Sequence, residues 1–305
     1  MAFKLTSRYN SFAPKACVQV SKLYERPLNI LKPLLKWAGG KRHIAPVIEQ
    51  FLPADWNNGT YFEPFLGGAA LFLHLSPKSA RLADVNPWLV GFYVNVREQP
   101  NELFALISKY AKEFDAIQQD QKKSQYLELR KEFNNDELSL KSSALFYVLN
   151  KLCFNGLYRE NLKGKFNVPF GQKTRFPSLS EDDFVTASRR LLGVELQCSD
   201  FEQAVLNAQP GDFVYFDPPY VPINATANFT SYSSEGFGIE AQRRLAELMR
   251  TLRQKGVNAM LSNSATEVTS QIYSGLRQVT ISAPRMVSAK ASGRGRIDEL
   301  LIMNY

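Results

Sequence analysis

The sequence has few of the residues that bind metals or form disulfides. Its 305 residues include three cysteines (Cys17, Cys153 and Cys198) and two histidines. No two cysteines have the short spacing of a metal site, so we expect neither a bound metal ion nor a framework of disulfides. Unpaired cysteines fit a reducing environment, and we therefore expect a cytoplasmic location.

Long apolar runs are also lacking. No run reaches the roughly 18 apolar residues that a membrane-spanning helix needs, so we expect no membrane partner. Hydrophobic residues make up 45% and charged residues 22% of the chain, which is typical of a globular protein. The formal net charge of +8 favours a polyanionic partner, although on charge alone a merely basic protein is equally consistent.

The order of apolar runs predicts an α/β protein whose sheet is interrupted. Strand, glycine turn, helix and strand follow one another over residues 60–85, which is the pattern of a βαβ unit. Helical patterns replace the strands from about residue 98, and strands resume near residue 194. We predict a doubly wound sheet split by a mostly helical insertion with its own small core. The predicted units are an N-terminal extension (1–30), a sheet domain (31–95 plus 190–305) and the inserted domain (96–189).

An acidic, proline-rich tetrapeptide ends one of the predicted strands. Asp217-Pro218-Pro219-Tyr220 follows the apolar run 213–216. In open α/β sheets, ligands bind at the carboxyl ends of the strands. Carboxylate and carbonyl oxygens in this position can accept the hydrogens of a ring amine, and the tyrosine can stack on the ring. The alternative is a Pro-Pro turn capped by the aspartate.

Two segments near the start of the sheet domain suggest a cofactor site. Gly67 and Gly68 follow a predicted strand, and Asp84 ends the next strand at about the offset of a ribose-binding acid. The alternative is a tight turn with an unrelated surface aspartate. Segment 36–41 lacks the spacing of a phosphate-binding loop, and its Trp37 is either the wall of a ligand pocket or a buried core residue.

A basic and aromatic segment closes the inserted domain. Asn155-Gly156 and Lys163-Gly164 predict a β-hairpin. Arg159 can read the O6 and N7 atoms of guanine, and an apolar tip can wedge between bases. The alternative is an ordinary basic hairpin. Two further loops stand out: 224–232 is either a cover for the site or a surface loop, and 290–296 is a basic, flexible loop.

Six motifs in order are more specific than any one of them. The motifs KWAGGK, EPF-x-G, LADVN, FNGLYR with NVPFG, DPPY with NATANFTSY, and DELL follow one another along the chain. In this order they resemble the Dam-like DNA adenine methyltransferases, from about residue 34 to residue 305. The arrangement is similar to that of the alpha group of amino-methyltransferases.

The resemblance implies a Rossmann-like, S-adenosylmethionine-dependent methyltransferase sheet, with the insertion as a target-recognition domain. It implies methyl transfer to the exocyclic amine of a flipped adenine in double-stranded DNA, within GATC. The catalytic residues it implies are Asp217, Pro218, Pro219 and Tyr220. The cofactor residues it implies are Trp37, Lys41, Phe65, Gly67, Asp84, Asp200, Phe201 and Asp217. The DNA-binding residues it implies are Lys36, Phe154, Asn155, Leu157, Arg159, Asn167 and Pro169.

The chain departs from the family pattern at two of these motifs. Ala69 stands where a glycine is usual, and Phe154 stands where a relative has tyrosine, so that stacking is kept and a hydroxyl contact is lost. Two alternatives remain open: an amino-methyltransferase acting on another DNA motif or on RNA, and a catalytically dead DNA-binding regulator. Those other methyltransferases more often have Ser or Asn at position 217, and a dead regulator would tend to lose the acid, a proline or the tyrosine. The sequence does not determine whether a restriction endonuclease is a partner.

Overall fold

A computed structural model describes residues 18–19, 31–222, 237–284 and 296–305. The predicted extension lies outside these ranges apart from residues 18–19, as do loop 224–232 and nearly all of loop 290–296. The strands are β1 (Val18–Gln19), β2 (Tyr61–Glu63), β3 (Ala80–Asp84), β4 (Glu195–Cys198), β5 (Phe213–Phe216), β6 (Asn258–Ser264), β7 (Arg277–Pro284) and β8 (Arg296–Met303). The helices are α1 (Ala45–Glu49), α2 (Ala70–Leu75), α3 (Pro87–Glu98), α4 (Pro100–Ala116), α5 (Lys122–Asn134), α6 (Leu140–Leu152), α7 (Glu181–Leu191), α8 (Phe201–Ala204), α9 (Ile239–Gln254) and α10 (Glu267–Ile272).

The described strands form one sheet in the order β1-β7-β8-β6-β5-β2-β3-β4. Every pairing is parallel except those of β8, which runs antiparallel to β6 and β7. The chain winds outwards from β2 in one direction and from β5 in the other, so the switch point lies between these two strands. Ligands bind at such a point, outside the carboxyl ends of the strands.

The strand β5 is apolar throughout because both of its faces are covered. Phe213 and Tyr215 belong to the hydrophobic cluster that includes the helices of the insertion, whereas Val214 and Phe216 belong to the cluster beneath α9. Successive side chains of a strand point to opposite faces, so two buried faces require an unbroken apolar run. This burial ends at Asp217, the first residue after β5.

The helices between β3 and β4 share the core of the sheet. Phe114 of α4 and Leu145 of α6 lie in the same buried cluster as Tyr61 of β2 and Leu82 of β3. The prediction that the insertion has its own small core is therefore wrong. Helix α3 is the physical reason, because it packs against α6 and α7 on one side and against β3 and β4 on the other.

The secondary structure departs from the sequence pattern in three helices and in the hairpin. The pattern predicts a short helix over 201–208, whereas α8 ends at Ala204, and α7 and α10 were not predicted. Helix α7 had an available signal, since Ser180 caps it and its buried residues recur at helical spacing. The hairpin forms with only two isolated antiparallel bridges, Cys153 with Phe170 and Glu160 with Phe166, instead of a continuous ladder.

Within the described ranges, no helix combines the length and apolar character that crossing a bilayer requires. The same part of the chain contains no group of three or more His, Cys, Asp or Glu side chains placed to hold a metal ion. Two of the three cysteines are described: Cys153 is buried, Cys198 is exposed, and both are free thiols.

Candidate active site and DNA interface

The centre of the site is the pairing of Asp217 with Lys41. Lys41 begins a short 3-10 helix (Lys41–His43) and is almost fully buried. Its Nζ lies 2.6 Å from Oδ1 of Asp217 and donates to the carbonyl oxygen of Gly39 at 2.5 Å. The same Nζ lies 4.7 Å from the centre of the Tyr220 ring. The predicted cofactor residue Lys41 therefore joins two of the predicted catalytic residues.

The protonation of Asp217 is set by burial and by its neighbours. Burial raises the pKa of Asp217 to about 6, the Lys41 ammonium opposes this rise, and the Glu299 carboxylate adds to it. The carboxylate is thus the main form at neutral pH. Among the described residues, Lys41 is the basic group paired with it, and it approaches only one of the two carboxylate oxygens.

Tyr220 is fixed through its hydroxyl group. The hydroxyl donates to Oε2 of Glu299 on β8 at 2.9 Å. Burial and the carboxylates of Asp217 and Glu299 raise the pKa of Tyr220, so the phenol keeps its proton and remains a donor. The DELL motif contains Glu299, but sequence reasoning gave this acid no role; its position in a closing strand was the available signal.

The glycine turn after β2 is tied to the end of β3. The N–H groups of Gly67 and Asn86 donate to the two carboxylate oxygens of Asp84, each at 3.0 Å. A Cβ on Gly67 would lie 2.8 Å from Cδ1 of Trp37, and its φ is +48°, so only glycine fits there. Trp37, Gly67 and Asp84, three of the predicted cofactor residues, therefore lie together.

The departure at Ala69 has a visible conformational cost. Ala69 has φ 55° and ψ 28°, in the left-handed region, at the N-cap of α2. An L-residue with a Cβ costs about 1–2 kcal/mol there relative to the right-handed region, a cost that glycine avoids. The turn keeps its left-handed geometry even though Ala69 replaces the usual glycine.

An aromatic cluster follows the end of β2. The rings of Phe65 and Phe201 stack with centroids 5.6 Å apart, and Phe237 meets both edge-on. Phe201 is buried, so it supports Phe65 and presents little free ring surface. Asp200 caps α8 by accepting from the N–H of Glu202 at 2.9 Å. Val85, which sequence reasoning missed, follows Asp84 and is 68% exposed.

Apart from Lys36, the predicted DNA-binding residues lie on one segment after α6. The N–H of Phe154 donates to the carbonyl oxygen of Pro169 at 2.9 Å, and Nε of Arg159 donates to Oδ1 of Asn167 at 2.7 Å. Phe154, Leu157 and Arg159 are exposed. Tyr158, which was not predicted as a site residue, points the other way and stacks on Trp37 with centroids 5.8 Å apart.

Lys36 begins segment 36–41, which contains the predicted cofactor residues Trp37 and Lys41, and it contacts the hairpin. The buried Asn150 of α6 accepts from the Lys36 N–H at 2.9 Å and donates to the carbonyl oxygens of Lys36 at 2.8 Å and Gly156 at 3.2 Å. A Cβ on Gly156 would lie 2.7 Å from Cβ of Lys36. Lys36, a predicted DNA-binding residue, therefore adjoins Asn155 and the hairpin. Asn150 itself was missed, because a lone asparagine inside a helix carries no local signal.

The sheet order and the antiparallel β8 are those of a Rossmann-like methyltransferase fold. A family model described as D12 class N6 adenine-specific DNA methyltransferase matches residues 37–287. The chain belongs to this family, and both the predicted Rossmann-like methyltransferase fold and the predicted enzyme class are confirmed.

The chain is similar in sequence to named methyltransferases over most of its length. It is 38% identical over 283 residues to the Type II methyltransferase M1.LlaDCHI of Lactococcus lactis subsp. cremoris, covering 90% of this chain and 96% of the relative. It is 39% identical over 287 residues to the Type II methyltransferase M.MjaIII of Methanocaldococcus jannaschii, covering 90% and 99%. It is 34% identical over 275 residues to the DNA adenine methylase of Vibrio cholerae, covering 89% and 95%.

Proposed function

We propose that this protein transfers a methyl group from S-adenosylmethionine to the exocyclic amine of an adenine flipped out of duplex DNA, within GATC. The observation that carries the proposal is the partly buried Asp217 carboxyl group at the end of β5, beside the switch point of the sheet, paired with Lys41 and adjoining Tyr220. Residues 96–189 act as the target-recognition domain in this proposal, and residues 31–95 with 190–305 act as the catalytic domain.

The residues at the ends of β2 and β3 fit S-adenosylmethionine chemically. Each carboxylate oxygen of Asp84 accepts one backbone N–H and keeps a further lone pair for a ribose hydroxyl. The exposed Val85 offers apolar surface to the adenine ring, and the close approach of Trp37 to Gly67 shapes the wall of the site. When bound, the cofactor supplies an electrophilic methyl group on a sulfonium.

Asp217 and Pro218 prepare the amine for attack. The lone pair of an adenine amine is delocalised into the ring, so the nitrogen is a poor nucleophile. The Asp217 carboxylate and the Pro218 carbonyl accept the two amine hydrogens, which favours a pyramidal nitrogen with a directed lone pair. The nitrogen–carbon bond would then form as the carbon–sulfur bond breaks, the donor would leave as a neutral thioether, and the methylated nitrogen, an acidic ammonium, would release its extra proton to solvent. Positioning and electrostatics carry most of the rate.

A base within a duplex is out of reach of this carboxylate, so the target adenine must leave the stack. Stacking on the Tyr220 ring returns about 1–3 kcal/mol of the cost of unstacking. Lys36 and the exposed side chains of the hairpin contact the rest of the target. Asn167 holds the Arg159 guanidinium in place for guanine, because its Oδ1 accepts from Nε at 2.7 Å and its carbonyl oxygen accepts from Nη2 at 3.5 Å.

The proposal is tested by modification-aware sequencing of plasmid from a host without its own adenine methylation. Wild-type protein should leave N6-methyladenine confined to GATC. Asp217→Ala should bind duplex DNA but leave it unmodified, and Arg159→Ala should relax the choice at one base pair by about 1–3 kcal/mol. Methylation at another motif would overturn the assignment of GATC. Unmodified DNA from soluble wild-type protein would favour an RNA substrate or a catalytically dead regulator.

A further inference from the structure

A buried polar network lies beneath the DPPY loop and holds its main chain. Nε2 of Gln242, on α9, donates to the carbonyl oxygen of Pro219 at 2.8 Å. Oδ1 of Asn263, on β6, accepts from the N–H of Val221 at 3.0 Å, and the Ser264 hydroxyl donates to the Val221 carbonyl at 2.5 Å. Gln242 and Asn263 are completely buried. The peptide groups on both sides of Tyr220 are therefore hydrogen-bonded to side chains from two other elements.

The network has only one consistent hydrogen-bond direction. Oδ1 of Asn263 accepts from the main-chain N–H groups of Val221 and Ser264, and since such groups only donate, the oxygen end of this amide is fixed. Nδ2 of Asn263 must then donate to Oε1 of Gln242, which lies 3.0 Å away. The Tyr273 hydroxyl donates to the same Oε1 at 2.7 Å. Nε2 of Gln242 is thereby left facing the Pro219 carbonyl, which can only accept.

We propose that Gln242 and Asn263 are positioning residues for methyl transfer, which aim the Tyr220 ring by fixing the peptide planes before and after it. The inference rests on the proposed function, since it assigns Tyr220 to the flipped base. The direction of a side chain follows from the φ and ψ of its residue, and those angles are set by the two adjoining peptides. Neither amide reaches the substrate; both act through the loop.

The chain offers a matched control in Asn304. This asparagine is also buried and also joins α9 to β6, because its Oδ1 accepts from Ala259 N–H at 2.7 Å and its Nδ2 donates to the Met249 carbonyl at 3.1 Å. Ala259 and Asn263 lie about 13 Å apart along β6, at roughly 3.3 Å per residue. Asn263 and Asn304 are both buried asparagines that link α9 to β6, but only Asn263 also bonds to the DPPY loop.

The first comparison is between Asn263→Asp and Asn304→Asp, with Gln242→Met as a variant that removes the donor to Pro219. The substrate is a GATC duplex, and a second duplex carries 2-aminopurine at the target adenine to report flipping. Asn263→Asp and Gln242→Met should lose about 100-fold in kcat, because small misplacements of reacting groups cost about that much. Both should keep the wild-type KM for S-adenosylmethionine and show reduced 2-aminopurine fluorescence. Asn304→Asp should lower the melting temperature but keep the wild-type kcat and fluorescence.

A second variant keeps the proposal falsifiable if the first ones fold poorly. Gln242→Glu places a carboxyl group against the Pro219 carbonyl, and it can donate there only when protonated. Tyr273 is the titratable side chain in contact with this position, and burial raises its pKa, so it stays neutral. Buried glutamates have pKa values up to about 8–9, so kcat of Gln242→Glu should recover as the pH falls from about 9 to about 7. Wild-type kcat should not rise over that interval.

The outcomes separate the two hypotheses. Wild-type protein that neither methylates the duplex nor flips 2-aminopurine contradicts the proposed function. Active wild-type protein, with Asn263→Asp and Gln242→Met behaving like Asn304→Asp and with no pH-dependent recovery of Gln242→Glu, contradicts the positioning role and leaves the proposed function intact.

Discussion

At the scale of single residues, the ion pair of Lys41 and Asp217 decides the charge of the site. Burial favours the neutral acid and the ammonium favours the carboxylate, and the pKa of Asp217 settles at about 6. An amine hydrogen needs the carboxylate as its acceptor. Turnover in the proposed reaction should therefore fall as the pH falls through about 6.

Replacing Lys41 should change the pH at which turnover falls on the acidic side, the acidic limb of the pH profile. In Lys41→Met the opposing charge is lost, so the pKa of Asp217 rises and the acidic limb of the kcat profile shifts to higher pH. The measurement is kcat against pH at saturating S-adenosylmethionine. Arg42→Met is the control, because Arg42 is the adjacent basic residue and is exposed. An acidic limb at the same pH in wild type and Lys41→Met would show that Asp217 does not limit turnover.

Glu63 is a second buried acid beneath the site, with consequences for stability. Its Oε2 accepts from the Tyr61 hydroxyl at 2.8 Å, and burial raises its pKa from 4.5 to about 8. A carboxyl group whose pKa is higher in the folded than in the unfolded protein stabilises the folded state, and this contribution is complete below the unfolded-state pKa. It is lost as the pH rises through the folded-state pKa, so stability should fall between about pH 4.5 and about pH 8.

Glu63→Gln should remove this pH dependence. The neutral amide resembles the protonated acid, so the variant should melt at a higher temperature than wild type near pH 8. The two melting temperatures should converge near pH 5, where Glu63 is protonated in the folded wild type. The measurement is thermal unfolding across this range. A variant that melts below wild type near pH 8 would mean that the charged carboxylate stabilises the fold.

At the scale of elements, the hairpin after α6 is fixed to segment 36–41. Asn150 bonds to Lys36 and to Gly156, and Tyr158 stacks on Trp37. The alternation of exposed Leu157 and Arg159 with inward Tyr158 follows the two-residue period of extended chain. The outward side chains were predictable from motif and charge. The inward contact was not, because it depends on which segment lies behind the hairpin.

Two glycines of this hairpin give a matched test of that attachment. Gly156 and Gly164 have φ of +65° and +67°, so alanine is strained equally at both. A Cβ at Gly156 would lie 2.7 Å from Lys36, whereas at Gly164 the nearest atom is 3.8 Å away. Gly156→Ala should weaken binding to a GATC duplex, measured by fluorescence anisotropy, much more than Gly164→Ala. Equal losses would mean that backbone strain alone matters.

At the scale of the whole molecule, the inserted helices and the sheet share one buried cluster. Elements with a common core unfold together, since opening one exposes the apolar surface of the other. Sequence periodicity found the helical character of the insertion and the interruption of the sheet. It did not reveal that α3 connects the two, because the amphipathic pattern of a helix does not specify its partners.

Unfolding should therefore be a single cooperative transition. In scanning calorimetry the calorimetric enthalpy should equal the van't Hoff enthalpy. Excess S-adenosylmethionine should raise the transition temperature without splitting the transition, because a ligand that binds only the folded state stabilises it by mass action. Two resolved transitions would instead support independent folding of residues 96–189.

The sequence by itself determined the motifs, the buried strand before Asp217, the split α/β pattern and the family. These features are local, since they depend on residue types at short spacing. Only the tertiary structure decided that Lys41 meets Asp217, that Glu299 holds Tyr220, and that Gln242 and Asn263 fix the loop between them. The physical reason is the strand order: it reverses between β2 and β5 and places β6 beside β5 and β8 beside β6, which brings distant segments to one edge of the sheet.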